Sequence, residues 1–458
     1  MRYSTIRVVS TAISLLAIGL PTSVHAQTVA LERLMEYIEI DTINPPGNEI
    51  RGARFFAEIF DAADIAYEIA ESAPGRGNIW ARLEGGNEPA LVLLHHIDVV
   101  PATVSAWDSD PLVATVRDGI LFGRGALDTK SLGIMHLEAF LELHESDRRL
   151  NRDVIFMATA DEEAGGYFGA GWLVENRPEV FEDVGYLLNE GGRGVESSGQ
   201  ISFQIEIAQK RPYWLRLTAT DEPGHGSRPL STSAPTRLIA ALQRIQETPF
   251  EPRIVPPVRE MFARIADSVN PVWQTSLADI DTAIEDPEFA ARFQDAEPGL
   301  HALIRNTCSI TMLTGSQKIN VVPPTSSAEL DCRILPDQDE AEFLEGIRSR
   351  IADDHIEIEQ IMLFSAAASS ADTNLYSILE ESIRKNFPSA GIAPGVTTGF
   401  TDSHFFRDIG IESYGYNPAV RPAAAASSVH GNNERIGIAT FNRGVEIMVE
   451  TVRTFVTN

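Results

Sequence analysis

The chain has 458 residues, 43% of them hydrophobic and 22% charged, which is enough length for two domains and enough apolar content for a large core. Its formal net charge of −28 argues against nucleic acid and anionic membrane surfaces as partners. Cys308 and Cys332 are its only cysteines, so a Cys-rich metal cluster is excluded and any metal site must use His, Asp and Glu.

Residues 1–26 read as a signal peptide. Arg2 and Arg7 give a positive start, 8–20 a short apolar stretch, and Val24-His25-Ala26 a small-residue cleavage site. The stretch is short for a membrane span, with an uncleaved anchor as the alternative. The mature protein is expected to be periplasmic or secreted, with no membrane contact beyond export.

Residues 28–37 start a helix, and the loop that follows carries Asn44-Pro45-Pro46-Gly47. Helical spacing returns over 50–63, and 79–83 and 91–94 read as strands. The second of these strands runs into His95-His96-Ile97-Asp98-Val99-Val100-Pro101. Gly123-Arg124-Gly125-Ala126-Leu127-Asp128-Thr129-Lys130 is a Gly-rich turn that opens a helix over 129–144. The unbroken apolar run 154–158 has the pattern of a strand buried on both faces. Asp161, Glu162 and Glu163 follow it, and then Gly165 and Gly166, which free the backbone to turn. A short helix near 170–175 leads to a strand over 184–188, which ends in Asn189-Glu190-Gly191-Gly192. Strand alternating with helix predicts an α/β fold, a mostly parallel sheet flanked by helices.

The pattern changes near Ile201. Residues 202–208 and 213–219 alternate as half-buried strands do. A loop with Gly224-His225-Gly226-Ser227 precedes a helix over 234–245, and 248–297 reads as a helical insertion. Strands over 308–313 and 328–335 flank Asn320-Val321-Val322-Pro323-Pro324. A helix over 340–351 and a strand over 356–362 complete a βαββαβ order, which predicts a separate α+β domain. From 371 the α/β character returns, with a helix over 375–387, a loop over 397–406 and a closing helix over 440–455.

In open α/β sheets, ligand sites form beyond the carboxyl ends of the strands. The strand ends here send His96, Asp98, Asp128, Glu162, Glu163 and Glu190 toward one edge. Imidazole with several carboxylates is the ligand set of a catalytic Zn²⁺ or similar ion.

Five motifs in fixed order, His96-x-Asp98-Val-Val-Pro101, Gly123-Arg-Gly-x-x-Asp128-x-Lys130, Asp161-Glu162-Glu163, Gly224-His225-Gly226-Ser227, and Asn320-Val-x-Pro with Asp331-x-Arg333, resemble those of a known family. It is the di-zinc metallopeptidase family of aminoacylase, glutamate carboxypeptidase, carnosinase and succinyl-diaminopimelate desuccinylase. The resemblance runs from about Leu31 to the C-terminus. It implies a catalytic domain in two parts, 27–209 and 366–458, around an inserted lid and dimerisation domain, 210–365. It also implies two Zn²⁺ ions per subunit, with Co²⁺ or Mn²⁺ as alternatives. Asp128 would bridge the ions, His96 and Glu190 completing one site, Glu163 and His430 the other. By the same resemblance Asp98 holds the His96 tautomer, Glu162 is the general base toward a metal-activated water, and His225 stabilises the oxyanion, in some relatives across a dimer. Arg333 and Asn320 would bind a substrate carboxylate, and Thr401 and Asp402 belong to a Gly-x-Thr-Asp loop near the site. His95 reads as a strand residue and not a ligand. Lys130 reads as a cap for charge near Asp128.

The function this implies is cleavage of an amide bond in a substrate with a free carboxylate, a small peptide or an N-acyl amino acid, by a homodimer paired through the lid. The alternative is a non-catalytic binding or scaffold protein on the same fold, which should lack a ligand or the base. Cys308 and Cys332 are equidistant from Asn320, so a symmetric hairpin sets them opposite each other, where a disulfide is expected in the exported protein. Two reduced buried thiols, or a one-residue displacement that turns them apart, remain the alternatives.

Overall fold

The computed structural model describes residues 22–457 except 198, 267–269, 423–424 and 426–427. Of the expected signal peptide, 1–21 lie outside the described residues, and the backbone of the remainder opens the helix Thr22–Glu39. No helix among the described residues is long and apolar enough to cross a membrane.

A ten-stranded sheet organises the larger part of the chain. Its middle is parallel: Arg152–Thr159, Glu88–His96, Val184–Asn189 and Glu412–Gly415 lie side by side in that order. Antiparallel strands extend both flanks, Gly77–Leu83 beside Arg152–Thr159 and Gln200–Gln209 beside Glu412–Gly415. The unbroken apolar runs do what two-sided burial demands. Leu91, Leu93, Val154, Phe156 and Ala158 enter one core, and Val92, Leu94, Ile155 and Met157 the other. The first core is capped by Thr22–Glu39, Lys130–Glu145 and Ile438–Thr457, the second by Ala170–Asn176 and Ser403–Asp408. Because the middle strands are parallel, their carboxyl ends share one edge, and the acidic turns collect there.

The smaller sheet is wholly antiparallel, in the order Thr307–Thr314, Thr325–Ile334, Arg211–Thr220, Ile356–Leu363. The helices Ala234–Glu247 and Glu340–Ile351 pack on it through Leu238, Leu242, Phe343 and Ile347. This is the βαββαβ order read from the sequence. Cys308 stands opposite Cys332 in register and is joined to it by a disulfide. The hairpin is symmetric only that far, since the register slips between Ile310 and Met312.

Three features differ from expectation. The segment 248–297, placed by sequence within the small domain, lays its apolar faces on the large core. Val258, Met261, Phe262 and Ile265 of the helix Pro256–Ile265 join that core, as do Trp273, Phe289 and Phe293. Each helix there is short and amphipathic, which blurs any periodicity read over the whole segment. The strand Gly391–Thr397 was missed because Gly391, Pro394 and Gly395 argue against a strand; it pairs only with Gln200–Gln209, so Pro394 sits on an edge. The expected loop over 397–406 turns into the helix Ser403–Asp408 before it ends.

The disulfide closes a loop with a sequence separation of 24 residues. Replacing both Cys308 and Cys332 by Ser should lower the unfolding free energy of the small domain by about 3 kcal/mol. Denaturant unfolding followed by Trp214 fluorescence checks this; an unchanged midpoint would show that the bond contributes nothing to stability.

Candidate metal centre

His96 ends the strand Glu88–His96, in the middle of the parallel sheet. Its Nε2 lies 3.1 Å from Asp128 Oδ1 and 3.5 Å from Glu190 Oε1. The other oxygen of Asp128, Oδ2, is 3.1 Å from His430 Nε2, which is also 3.1 Å from Glu163 Oε2. Two candidate ligand groups result, His96 with Asp128 and Glu190, and Asp128 with Glu163 and His430. Ligand atoms around a tetrahedral Zn²⁺ with bonds of about 2.0–2.1 Å stand about 3.3 Å apart. The observed spacings match that edge, and Asp128 supplies one oxygen to each group, so the donor set fits a pair of ions. All five ligands expected from sequence are therefore brought together.

The charge state answers to this crowding. Burial opposes a charged His96 imidazole, but Glu190, Asp128 and Asp98 outweigh it and raise its pKa well above the ordinary value. Hydrogen bonding to Asp128 and Glu163 raises His430 to about 10. Burial would raise the Asp128 carboxyl, but hydrogen bonds and attraction from His430 and His96 outweigh it and hold that carboxyl far below the usual range. Glu162 and Glu190 move the other way: burial first, and then repulsion by nearby carboxylates, Glu190 acting on Glu162 and Asp128 on Glu190, raises both. Protons on the two imidazoles thus hold the charge that cations would otherwise neutralise.

Glu162 lies beside the ligands and outside both groups, its Oε2 4.0 Å from His96 Nε2. Its position comes from the turn after Arg152–Thr159. Asp161 adopts a left-handed φ of 71°, unusual for a residue with a side chain. Asn44, Arg76 and the Phe168 N–H hold its carboxylate. Gly166, at φ +72°, is required, because a Cβ there would come within 2.3 Å of Asp402 Oδ1.

Asp98 is fully buried and accepts the backbone N–H of both Glu162 and Glu163, at 3.2 and 3.1 Å, and Asn44 Nδ2 at 2.8 Å. The His96 ring is oriented chiefly by the Asp98 main-chain oxygen, 2.9 Å from Nδ1, with the carboxylate at 3.5 Å. One residue therefore positions both the imidazole and the turn that bears Glu162.

Two supporting residues, Glu434 and Asn44, carry no site signal of their own in the sequence, where Asn44 reads only as part of a loop. Buried Glu434 accepts the N–H groups of Gly125, Leu127 and Asp128 and the Arg124 guanidinium. A Gly-rich turn with several inward N–H groups needs such an acceptor, which was the available signal. Lys130 does not cap Asp128. Its Nζ donates to Tyr37 and Ile40 carbonyls at the end of Thr22–Glu39, where a cation is favoured, and burial lowers its pKa to about 7. His95 is buried in the core with its Nε2 3.2 Å from the Tyr37 hydroxyl, as expected of a strand residue.

The remaining expected residues lie around this centre. Thr401 is buried, its N–H and hydroxyl both donating to Gln209 Oε1. Buried Asp402 accepts from Thr159, and burial raises its pKa to about 7. Arg333 extends from the small sheet, gives Nε and Nη2 to Asp331, lies over Phe400, and leaves Nη1 buried without a partner. His225 is exposed on a short ribbon beside Val321, and Asn320 closes that ribbon by accepting the Gly226 N–H. No hydrogen bond or ion pair among the described residues joins His225 or Asn320 to the metal ligands.

A family model described as Peptidase family M20/M25/M40 matches residues 92–454. The N-fatty-acyl-amino acid synthase/hydrolase PM20D1 of Xenopus tropicalis is 28% identical over 448 residues, 95% of this chain and 82% of the relative. Human aminoacylase-1 is 27% identical over 420 residues, 90% and 91% of the two chains. In fold, the chain is similar to the M20 family metallo-carboxypeptidase Sso-CP2 from Sulfolobus solfataricus, with a TM-score of 0.72 at 18% identity, covering 93% of this chain and 98% of that one. The match spans most of the chain and takes in every candidate ligand, so this protein belongs to peptidase family M20/M25/M40 and is a hydrolase of the peptidase and aminoacylase kind.

Proposed function

We propose that the protein is an exported di-zinc amidohydrolase that removes the acyl group from N-acyl amino acids. The observation that carries this reading is the carboxylate of Asp128, shared between two ligand groups, with the Glu162 carboxylate beside them and outside both. A pair of divalent ions there would polarise a carbonyl and lower the pKa of a water. Glu162 takes the proton of the attacking water and returns it to the leaving nitrogen. The burial that raises its pKa makes it a stronger base. Arg333 Nη1, buried and unpartnered, is a donor for the substrate carboxylate. His225 Nδ1 accepts the Ser227 N–H, so in the neutral ring the proton is on Nε2, ready to donate to an oxyanion.

The names of the two sequence relatives, an N-fatty-acyl-amino acid synthase/hydrolase and an aminoacylase, favour an N-acyl amino acid over a peptide. Exposed Tyr167, packed edge-on against Phe364 and Phe405 just beyond the acidic turn, offers apolar ground to an acyl group. Export is supported by the disulfide, which suits an oxidising compartment. Dimerisation through the small domain is supported by its edge strand Thr307–Thr314, with Met312 and Leu313 exposed. In such a dimer, His225 would serve the partner subunit.

Glu162→Gln should cut turnover of an N-acyl amino acid by about 10²–10⁴-fold while metal content stays near that of the parent protein. Loss of both ions in this variant would make Glu162 a ligand and overturn its role as base. Asp128→Ala should lose both ions and His430→Ala mainly one, read as metal-to-protein ratio after dialysis; equal ratios would contradict the shared carboxylate.

Metal loading at pH 7 should release protons, because His430 stays protonated up to about pH 10 until an ion displaces its proton. Apparent affinity should therefore climb as pH rises toward that value. Calorimetry in two buffers of different ionisation enthalpy measures the release, and identical heats would rule it out.

Mixing His225→Ala with Glu162→Gln under subunit exchange should restore partial activity, since a mixed dimer holds one intact pair. No recovery would place His225 in the service of its own subunit.

A further inference from the structure

Beside the metal centre, at the margin of the large sheet, the strands Arg193–Ser197 and Val420–Pro422 run parallel, with Arg421 opposite Val195. Arg193 and Arg421 line a cavity of about 230 Å³ together with Asp128, Glu190 and Asn417, so it opens directly on the candidate ligands. Among the described residues neither guanidinium makes a hydrogen bond, an ion pair or a ring contact, and Arg421 Nε is buried with no partner. Asn417 Oδ1 accepts the Ala419 N–H, and its Nδ2 makes no hydrogen bond among the described residues. Three donor groups therefore face a small space without an acceptor assigned to them.

The charges make this arrangement costly as it stands. Burial disfavours the charge on Arg421, Asp128, Glu434 and Glu190 offset part of that, and Arg193 repels it. Asp128 and Glu190 are held by the His96 side of the metal centre, and with cations in place their charge is spent there. The cavity then presents net positive charge. An alkyl chain entering it would bury two unpaired guanidiniums, which is strongly unfavourable. A carboxylate would meet planar forks matched to its two oxygens. Arg333 belongs to a separate place, on the small sheet over Phe400.

We propose that Arg193, Arg421 and Asn417 form a second anion subsite, which receives a substrate carboxylate other than the one that Arg333 takes, so that dicarboxylate substrates are preferred. The proposal rests on the amidohydrolase reading for its substrate. The second carboxylate can belong to an acidic amino acid or to a dicarboxylic acyl group.

Steady-state kinetics of the zinc-loaded protein distinguish these. N-acetyl-L-glutamate is set against N-acetyl-L-glutamine for the first source, and N-succinyl-L-leucine against N-acetyl-L-leucine for the second. The dicarboxylate of one pair should be favoured by about ten- to a hundredfold in kcat/KM, chiefly through KM. Arg421→Gln and Arg193→Gln should each cost the dicarboxylate at least tenfold more than they cost its partner. No preference in the parent protein, or equal losses for both members of each pair, would overturn the subsite.

Should no compound of the panel be hydrolysed, the amidohydrolase reading falls, and the subsite is decided by titration calorimetry with glutarate against butyrate. Glutarate binding weakened tenfold or more by the variants, with butyrate little altered, supports it; identical binding by parent and variants sinks it. A thermal melt guards against misfolding of Arg421→Gln, and exposed Arg193 provides the second variant.

Discussion

The constraint on which this molecule depends is the crowding of acids at the carboxyl edge of its parallel strands. Asp98, Asp161, Glu162, Asp402 and Glu434 are buried there, with Asp128, Glu163 and Glu190 between them. Left alone, such a cluster would protonate or open toward water. The fold answers with fixed partners. Backbone N–H groups serve Asp98 and Glu434, Arg76 serves Glu49 and Asp161, and Arg124 serves Glu434. What those partners leave over gathers on Asp128, Glu163 and Glu190, which His96 and His430 face at ion-pair distance. The two candidate ligand groups that share Asp128 mark where a pair of cations would complete the edge.

The supporting groups come from distant parts of the chain, and this decides what sequence can disclose. His96, Asp128, Glu162, Glu163 and Glu190 were legible because each follows a strand or a Gly-rich turn, where hydrophobic runs fix direction and place. His430 was legible only through family resemblance, since a loop histidine with no strand before it carries no positional signal. Asn44 and Glu434 act through hydrogen bonds that span 54 and more than 300 positions, to Asp98 and to Leu127. Nothing local announces such a partner. The same physics separates the strands that were read from those that were not: 154–158 is uninterrupted and apolar, whereas Gly391–Thr397 carries proline and glycine on an edge that tolerates them.

The two sheets are joined by side chains that also border the centre. Arg333 on the small sheet is clamped by Asp331, which accepts the Trp214 indole N–H as well. Its guanidinium lies over Phe400, and Phe400 in turn packs edge-on against Phe364, at the end of Ile356–Leu363. Phe364 stacks on His404, whose two ring nitrogens are buried without hydrogen bonds and whose pKa burial lowers to about 3. The neutral ring behaves here as an aromatic spacer. The small sheet is thus in contact, through these rings, with the loop that carries Asp402.

Charge of both signs is divided by task. In a chain of net charge −28, most buried arginines are spent on fixed carboxylates: Arg407 binds Glu206 through two contacts of 2.9 and 2.8 Å, and Arg124 binds Glu434 at 2.7 Å. These pairs are closed and select nothing. Among the described residues, Arg333 keeps one nitrogen free, and Arg193 and Arg421 keep all of theirs. A guanidinium cannot shed its proton to escape an unfavourable site, as Lys130 can with a pKa of about 7. Its charge must be met by another molecule if the chain does not meet it. The carboxylates therefore build the candidate centre, and under the proposed reaction the arginines left without partners are the groups that would discriminate among the molecules reaching it.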